Sequence, residues 1–321
     1  MTRLSSLSPA MLGALTATIA VVFFSINDVA IKFLSDGYAL HQVVLFRSLI
    51  GLSFLMAFVA PFAGGMRVLN TKRLAMHMLR GACVVFANMT FFLGLAAMPL
   101  AEAVAIFFIS PLVITIFSVV FLGEQVGPRR WIAVGVGLLG VVVVLRPGTQ
   151  AFQLASLLPL AAAFGYAGLH MLTRKIGITE SAATMSIYIQ LMFVLVSLTM
   201  GLLFGAGQFA AQSDPSLAFL FRAWIWPDPS DYAILVTLGA ASAIGGFCIS
   251  QAYRSSEAAL VAPFEYLAMP LSIFWGILVF GEWPDLVSYL GITLILGSGL
   301  YMIWREWRLG RAQLDTPKTR R

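Results

Sequence analysis

Residues Met98 to Pro147 read MPLAEAVAIFFISPLVITIFSVVFLGEQVGPRRWIAVGVGLLGVVVVLRP, two long apolar runs joined by a short hinge that carries a Gly-Glu pair and two arginines. A hydrocarbon layer about 30 Å thick is crossed by about 20 apolar residues of helix. Leu100 to Leu122 and Trp131 to Leu145 approach that length on either side of Gly123-Glu124, the second on the short side. The stretch therefore predicts a pair of membrane-spanning helices with a tight turn. The chain then repeats it. Ala258 to Trp304 again runs apolar helix, Pro270, Gly281-Glu282, Trp283-Pro284-Asp285 and a Gly-spaced apolar helix. The Pro-to-Glu spacing is 13 residues in the first copy and 12 in the second, so the duplication is loosely kept, and a repeat governs how every single residue is read.

Composition agrees. The 321 residues are 60% hydrophobic and 11% charged, against about 45–50% and 25% in a soluble domain. Soluble readings drop out and a polytopic membrane protein remains. A net charge of +6 would suggest nucleic acid in a soluble protein. Here the basic residues punctuate the ends of apolar segments and act as topology signals, so no nucleic-acid partner is expected. Cys83 and Cys248 both lie in apolar runs and offer neither a disulfide framework nor a metal spacing.

Ten spans can be drawn, at 11–34, 40–60, 73–97, 99–122, 129–146, 153–173, 180–204, 231–253, 257–280 and 285–304. With the N-terminus inside, the inner segments hold fifteen Lys and Arg residues, Arg3, Arg129, Arg130 and Arg305 among them, and the outer ones hold only Arg146 and Arg222. That asymmetry puts both termini in the cytoplasm. Glu124 then lies inside and Glu282 outside, because five spans separate the copies. The expected fold is all-α, ten transmembrane helices as two inverted five-helix repeats: residues 1–147, residues 148–308, and a basic, disordered cytoplasmic tail at 309–321. Phe23 to Lys32 is also echoed by Phe164 to Lys175. Inverted repeats with a site near the bilayer midplane suit alternating access. The one long loop, Ala206 to Asp231, is external in this topology; Phe221, Trp224 and Trp226 read as an aromatic belt or, alternatively, as part of a lid.

Ionisable groups inside spans are costly, about 2.5–3.5 kcal/mol for Arg, Lys or Asp at the centre by insertion scales, and ask for a reason. Asp28 and Lys32 are spaced i,i+4 on one face of the first helix, and Asp28 comes to nearly the depth of Arg47 in the second. These three read as an ion-pair network pinning two helices or as a gate, with substrate contact as the alternative. Arg80 and Glu265 lie inward of the midplane at similar depths, so they could pair across the halves. Glu265, between Pro263 and Pro270 and beside Tyr266, could instead meet a cationic part of a substrate or carry a proton. Asn88 and Gln251 could line a cavity, or simply hydrogen-bond between helices. His77 and His170 read as end-of-span caps, and Glu102 as solvated. Gly135 to Gly140 formally matches G-x-G-x-x-G, but it lies mid-span with no strand before it and signifies close helix packing. There is no G-x-S-x-G, H-E-x-x-H or Cys-x-x-Cys, which weakens an intramembrane enzyme acting on a lipid or isoprenoid, the rival reading. No metal or cofactor is expected.

These residues together resemble the drug/metabolite transporter superfamily, specifically its EamA-type ten-helix permeases. The resemblance is carried by Phe24 to Lys32, Phe46-Arg47, Leu79-Arg80-Gly81, Ser110-Pro111-Leu112 through Gly123-Glu124, and Ala262-Pro263 through Gly281-Glu282. It implies a central cavity lined by spans three, four, eight and nine, near Arg80, Asn88, Gln251, Glu265 and Tyr266. The Asn-Asp…Lys, Leu-Arg-Gly and Pro-Phe-Glu-Tyr-Leu segments look similar to bacterial S-adenosylmethionine permeases, with riboflavin permeases in related branches. Glu265 and the long loop before span eight depart from that pattern, and no substrate is carried across. The expectation is a bacterial inner-membrane permease, monomeric or homodimeric, for a vitamin, amino-acid derivative or nucleoside-like solute, coupled to a proton or ion or facilitative.

Overall fold

The computed structural model describes residues 9–122, 127–149, 152–176, 180–255, 261 and 264–314. The first Gly-Glu hinge at 123–124, Pro263 and residues 315–321 fall outside that set. Twelve α-helices are traced among the described residues: α1 Pro9–Leu34, α2 Leu40–Phe54, α3 Leu74–Ala97, α4 Leu100–Phe107, α5 Ser110–Leu122, α6 Pro128–Leu145, α7 Leu157–Ile176, α8 Ala182–Phe204, α9 Pro215–Phe221, α10 Tyr232–Ser255, α11 Ala268–Phe280 and α12 Leu286–Leu314. Eight helical stretches are long and apolar enough to cross a membrane, and the apolar helices Trp131–Leu145 and Ala268–Phe280 are shorter.

The molecule is apolar on its surface as well as in its core, with a few charged groups buried inside. Phe62, Leu202, Leu278 and Leu286 are largely exposed, while Arg47, Arg80, His41 and His77 are buried. An apolar surface of this extent has to be covered, and lipid covers it in a multi-pass membrane protein.

The expected fourth span is two helices. Pro111 has no N–H to donate and biases the residue before it away from helix. The chain turns through Phe108 and Ile109 and restarts at Ser110. The same interruption recurs at Tyr266-Leu267, three to four residues before Pro270. Gly281 ends α11 at a φ of 66°, in the left-handed region that glycine enters without strain. The tail differs from expectation, because α12 continues to Leu314. Arg, Glu, Leu, Ala and Gln after Arg305 are good helix formers.

Helices pair α1 with α10, α3 with α7, α2 with α8, α4 with α11 and α6 with α12. Glycines set the closest of these. A Cβ on Gly140 would come within 2.9 Å of the Gly291 carbonyl oxygen, and one on Gly137 within 2.2 Å of Leu112 Cδ1, so two of the three glycines of the G-x-G-x-x-G run make close helix packing, while Gly135 faces open space.

Candidate functional site

Three polar assemblies and one aromatic run occupy the interior. The aromatic run lies where the helices break. Phe108, about 12 Å along the axis from the start of α4, packs its ring on Tyr266 at 5.2 Å, so the two interruptions face each other. Phe107 packs on Tyr166 at 5.2 Å and on Phe91 at 5.1 Å. Tyr266 is buried and fits against Gly299, where a Cβ would sit 1.8 Å from its hydroxyl oxygen. Glu265 is half-buried beside it and acts electrostatically on the hydroxyls of both Tyr166 and Tyr266.

The first polar assembly joins α1 to α2. Arg47 is 2% exposed, its guanidinium over the ring of Phe193 at 4.4 Å and that of Phe92 at 5.3 Å. Its Nη1 donates to Asn27 Oδ1 at 3.4 Å, and Asn27 Nδ2 donates to Asp28 Oδ1 at 3.1 Å. Nε and Nη2 of Arg47 have no protein partner. Nearby, Trp275 of α11 donates to Ser25 Oγ of α1 at 3.2 Å.

The second assembly corrects the expected Asp28–Lys32 pair. Lys32 Nζ is 2.6 Å from Glu282 Oε1 and donates to the Met98 carbonyl at 2.6 Å. Glu282 Oε2 in turn accepts from the Leu100 N–H at 2.9 Å, capping α4. A carboxylate at a helix N-terminus answers both an orphan N–H and the helix dipole. The reason for the change of partner is reach: the lysine stem extends toward the end of the bundle instead of folding back a turn. A cleft of about 360 Å³ opens over this junction, lined by Lys32, Asp36, Ala97, Met98, Phe280 and Glu282. Beside it Arg146 pairs with Asp285, and Ser288 Oγ donates to Glu102 Oε1 at 2.6 Å. Glu102 is therefore bonded, not merely solvated. The Arg146 hydrogen bond and the Ser288 N–H hold the Asp285 carboxyl well below the usual carboxylate range.

The third assembly lies toward the opposite end. Arg80 is buried, and its Nε donates to Thr173 Oγ1 at 2.8 Å and its Nη1 to the Met185 carbonyl at 3.3 Å. Arg80 and Glu265 form no ion pair: equal depth aligned them along the bilayer normal, but Arg80 faces α7 and α8. His77 stacks on Tyr188 at 4.6 Å and lies 3.7 Å from Glu180, which also accepts from Thr71 at 2.8 Å. Asn88 and Gln251 are half-buried on α3 and α10. Of the expected residues, the fold brings Asp28 and Arg47 together, sets Tyr266 beside Glu265, and separates Lys32 and Arg80 from their expected partners.

The long loop is strapped down. Trp224 fills a slot left by Gly201 and Gly205 and donates its indole N–H to His41 Nδ1 at 2.5 Å. Arg222 donates to the Ser35 and Tyr38 carbonyls at 2.6 and 2.9 Å, and Tyr38 donates to Asp231 at 2.5 Å. Partial burial and that carboxylate raise the Tyr38 phenol above its ordinary value. Only Trp226, 80% exposed, has the exposure of a belt residue. Glu282 as the partner of Lys32 was missed from the sequence, although its place in a repeated Gly-Glu hinge was the available signal.

Interrupted helices facing each other around buried charge, inside an apolar shell, define a membrane carrier. The chain belongs to the EamA-like transporter family, which its residues 11–146 match. It is 30% identical over 288 residues to an S-adenosylmethionine uptake transporter of Rickettsia felis, covering 90% of this chain and 91% of that one. It is 29% identical to a riboflavin transporter of Rhizobium johnstonii, covering 95% of each. One solved crystal structure shares the fold at a TM-score of 0.66 and 18% identity, covering 92% of this chain and 98% of that one. The chain is thus a metabolite transporter of the membrane.

Proposed function

We propose that the chain is a ten-span permease of a bacterial inner membrane, with both termini cytoplasmic, that carries a small polar or amphipathic metabolite by alternating access. Its halves are residues 1–147 and 148–308. Support for the inverted repeat comes from the helix pairs. Numbering the spans in order, with α4 and α5 as the fourth, α10 as the eighth and α11 as part of the ninth, the exchange of each span for the one five away turns α1·α10 into α7·α3. The same exchange maps α2·α8, α4·α11 and α6·α12 onto themselves. Two halves related in this way can swap conformations and open one site to either face.

The observation that carries the reading is the Lys32–Glu282–Leu100 junction. It ties the external end of the first half to the external end of the second, at the hinge beside α11. In this topology it is an outer gate, closed. Arg80, Asn88, Gln251, Glu265 and Tyr266 then line the substrate path, on the inner side of the gate. The relatives point to S-adenosylmethionine or riboflavin as first candidates. An enzyme would gather its ionisable groups at one interface; here they are spread over both ends and the interior.

The test is uptake into proteoliposomes holding the purified protein, with labelled S-adenosylmethionine and riboflavin offered separately, beside a thermal-shift screen. A ligand at 100 times its dissociation constant stabilises by about 2.7 kcal/mol whichever way transport runs. Saturable uptake that is lost in Glu265→Gln, with normal insertion of the variant, supports the reading. Uptake indifferent to both Glu265→Gln and Arg80→Gln removes those residues from the path.

A further inference from the structure

A buried guanidinium normally has its N–H donors satisfied by the fold. Arg47 does not. Asn27 stands between it and Asp28, bonded to Arg47 Nη1 on one side and to Asp28 Oδ1 on the other, so the two charges lie close without touching. The edge formed by Nε and Nη2 is left without a protein partner, although the residue is only 2% exposed. An unsatisfied buried charged donor is costly and calls for a specific explanation. That edge is also one of the two on which a guanidinium grips a carboxylate bidentately. Phe193 and Phe92 hold the plane by its faces, so the fork is fixed before anything binds.

The surroundings connect this fork to the helix breaks. Ring contacts run from Phe92 to Phe91 at 6.0 Å, to Phe107 at 5.1 Å, to Phe108 at 6.2 Å and on to Tyr266 at 5.2 Å. Four of these five rings are buried in the closed state; once a gate opens they supply apolar surface for the body of a ligand whose charged head is held at Arg47. Asp28 is half-buried, and its second oxygen carries no protein hydrogen bond. A carboxylate at Arg47 and an ammonium at Asp28, kept apart by one amide, is the charge pattern of an α-amino acid.

We infer that Arg47 and Asp28 form the head-group site of the carrier, Arg47 gripping the substrate carboxylate and Asp28 its ammonium. The substrate class is a zwitterionic amino-acid derivative with an apolar or aromatic body. This rests on the alternating-access reading, since the fork is reached only when a gate opens, and it changes the role of the pair from scaffold to recognition.

The experiment uses proteoliposomes and matched probes: S-adenosylmethionine against its decarboxylated form, L-tryptophan against tryptamine, and riboflavin alone. At least one zwitterion should be carried, with its carboxylate-free partner weaker by on the order of 30-fold or more. Arg47→Gln should remove that preference and Arg47→Lys should restore only part of it, because a point charge lacks the fork. Asp28→Asn, which leaves the guanidinium in place, should weaken L-tryptophan more than indole-3-propionate, which keeps the carboxylate and lacks the ammonium, so the site is tested even where Arg47→Gln lowers the yield of folded protein. Equal uptake of both members of each pair, or a zwitterion carried equally by the parent and by both the Arg47→Gln and Asp28→Asn variants, overturns the assignment. Uptake of riboflavin without any zwitterion overturns it while leaving the transport reading intact. No uptake of any probe defeats both.

Discussion

Replacing Glu282 with Gln keeps the shape of the outer junction and removes its charge. Two charge-assisted contacts weaken together: the Lys32 ion pair at 2.6 Å, between side chains 11% and 26% exposed, and the cap on the Leu100 N–H at 2.9 Å. Hydrogen bonds to charged groups contribute about 1.5–3 kcal/mol and neutral ones about 0.5–1.5, so the substitution costs the closed state roughly 2–3 kcal/mol before correction. Only the difference between closed and open states moves the gate. Opening rehydrates both groups, and a partly exposed pair is screened. A net shift of about 1.5 kcal/mol, near tenfold in the open-to-closed ratio, is the expected size. The readout is a cysteine at Ala101, 4% exposed and one residue inward of the capped Leu100, in a chain whose Cys83 and Cys248 have been replaced. In right-side-out vesicles an impermeant maleimide should label it about tenfold faster in the Glu282→Gln background. Lys32→Gln should do the same, and the double variant should add little, since both changes break one contact. Labelling rates within twofold of the parent in all three would refute the gate.

Gly299→Ala places a methyl within 1.8 Å of the Tyr266 hydroxyl oxygen and 2.2 Å of its Cζ; overpacking of about 1–3 kcal/mol should outweigh the gain in helix propensity and lower the thermal midpoint. Arg80→Met should be nearly neutral in stability, because Thr173 keeps its bond to the Leu169 carbonyl at 2.8 Å and a buried charge is replaced by an apolar stem. Transport should nonetheless fall at least about tenfold if Arg80 lines the path, in keeping with the functional use of intramembrane charge. For Arg146–Asp285 the folded carboxyl is held below its ordinary value, so its contribution is complete above about pH 4 and is lost as the pH falls further. The difference in thermal midpoint between the parent and Asp285→Asn should therefore be constant from about pH 5 to 8 and shrink only in stronger acid.

The apolar runs were legible because each depends on one stretch of residues meeting one length requirement, which eight of the described helical stretches meet and Trp131–Leu145 and Ala268–Phe280 do not. Pro270 was read as loosening the ninth span, whereas the fourth was expected as one helix and its break before Pro111 is a finding of the structure. The partners of charged groups were not legible in the same way. For Lys32 the periodicity of a single helix offers Asp28 four residues back, whereas its true partner lies 250 residues on, at a hinge whose position is fixed only when the halves dock. Arg80 and Glu265 were matched by depth, one coordinate out of three, and the rotation of α3 about its own axis turned the guanidinium to Thr173 instead. Trp224 was placed at the lipid interface by its residue type, but Gly201 on α8 and Gly205, one turn on at its C-cap, leave a slot that takes the indole.

The same contrast bears on which charges can act in transport. Lys32 and Glu282 satisfy each other, and Arg146 and Asp285 do the same, so these pairs can hold an end of the bundle shut and be broken only by moving the halves. Arg47 differs in kind, because its unused edge lies in the interior, where no motion is needed to expose the donors, only one to admit a ligand. A carrier requires both kinds of group: pairs whose loss opens a path, and donors that gain a partner when the path fills. Binding that satisfies Arg47 recovers an interaction the empty protein lacks, and this gain is available to offset breaking the outer junction. Substrate and gate are then coupled through free energy without any contact between them, and the coupling is reciprocal. Glu282→Gln should therefore alter the apparent affinity for a zwitterion by a factor of the same order as its effect on the gate, and leave the discrimination against carboxylate-free analogues unchanged.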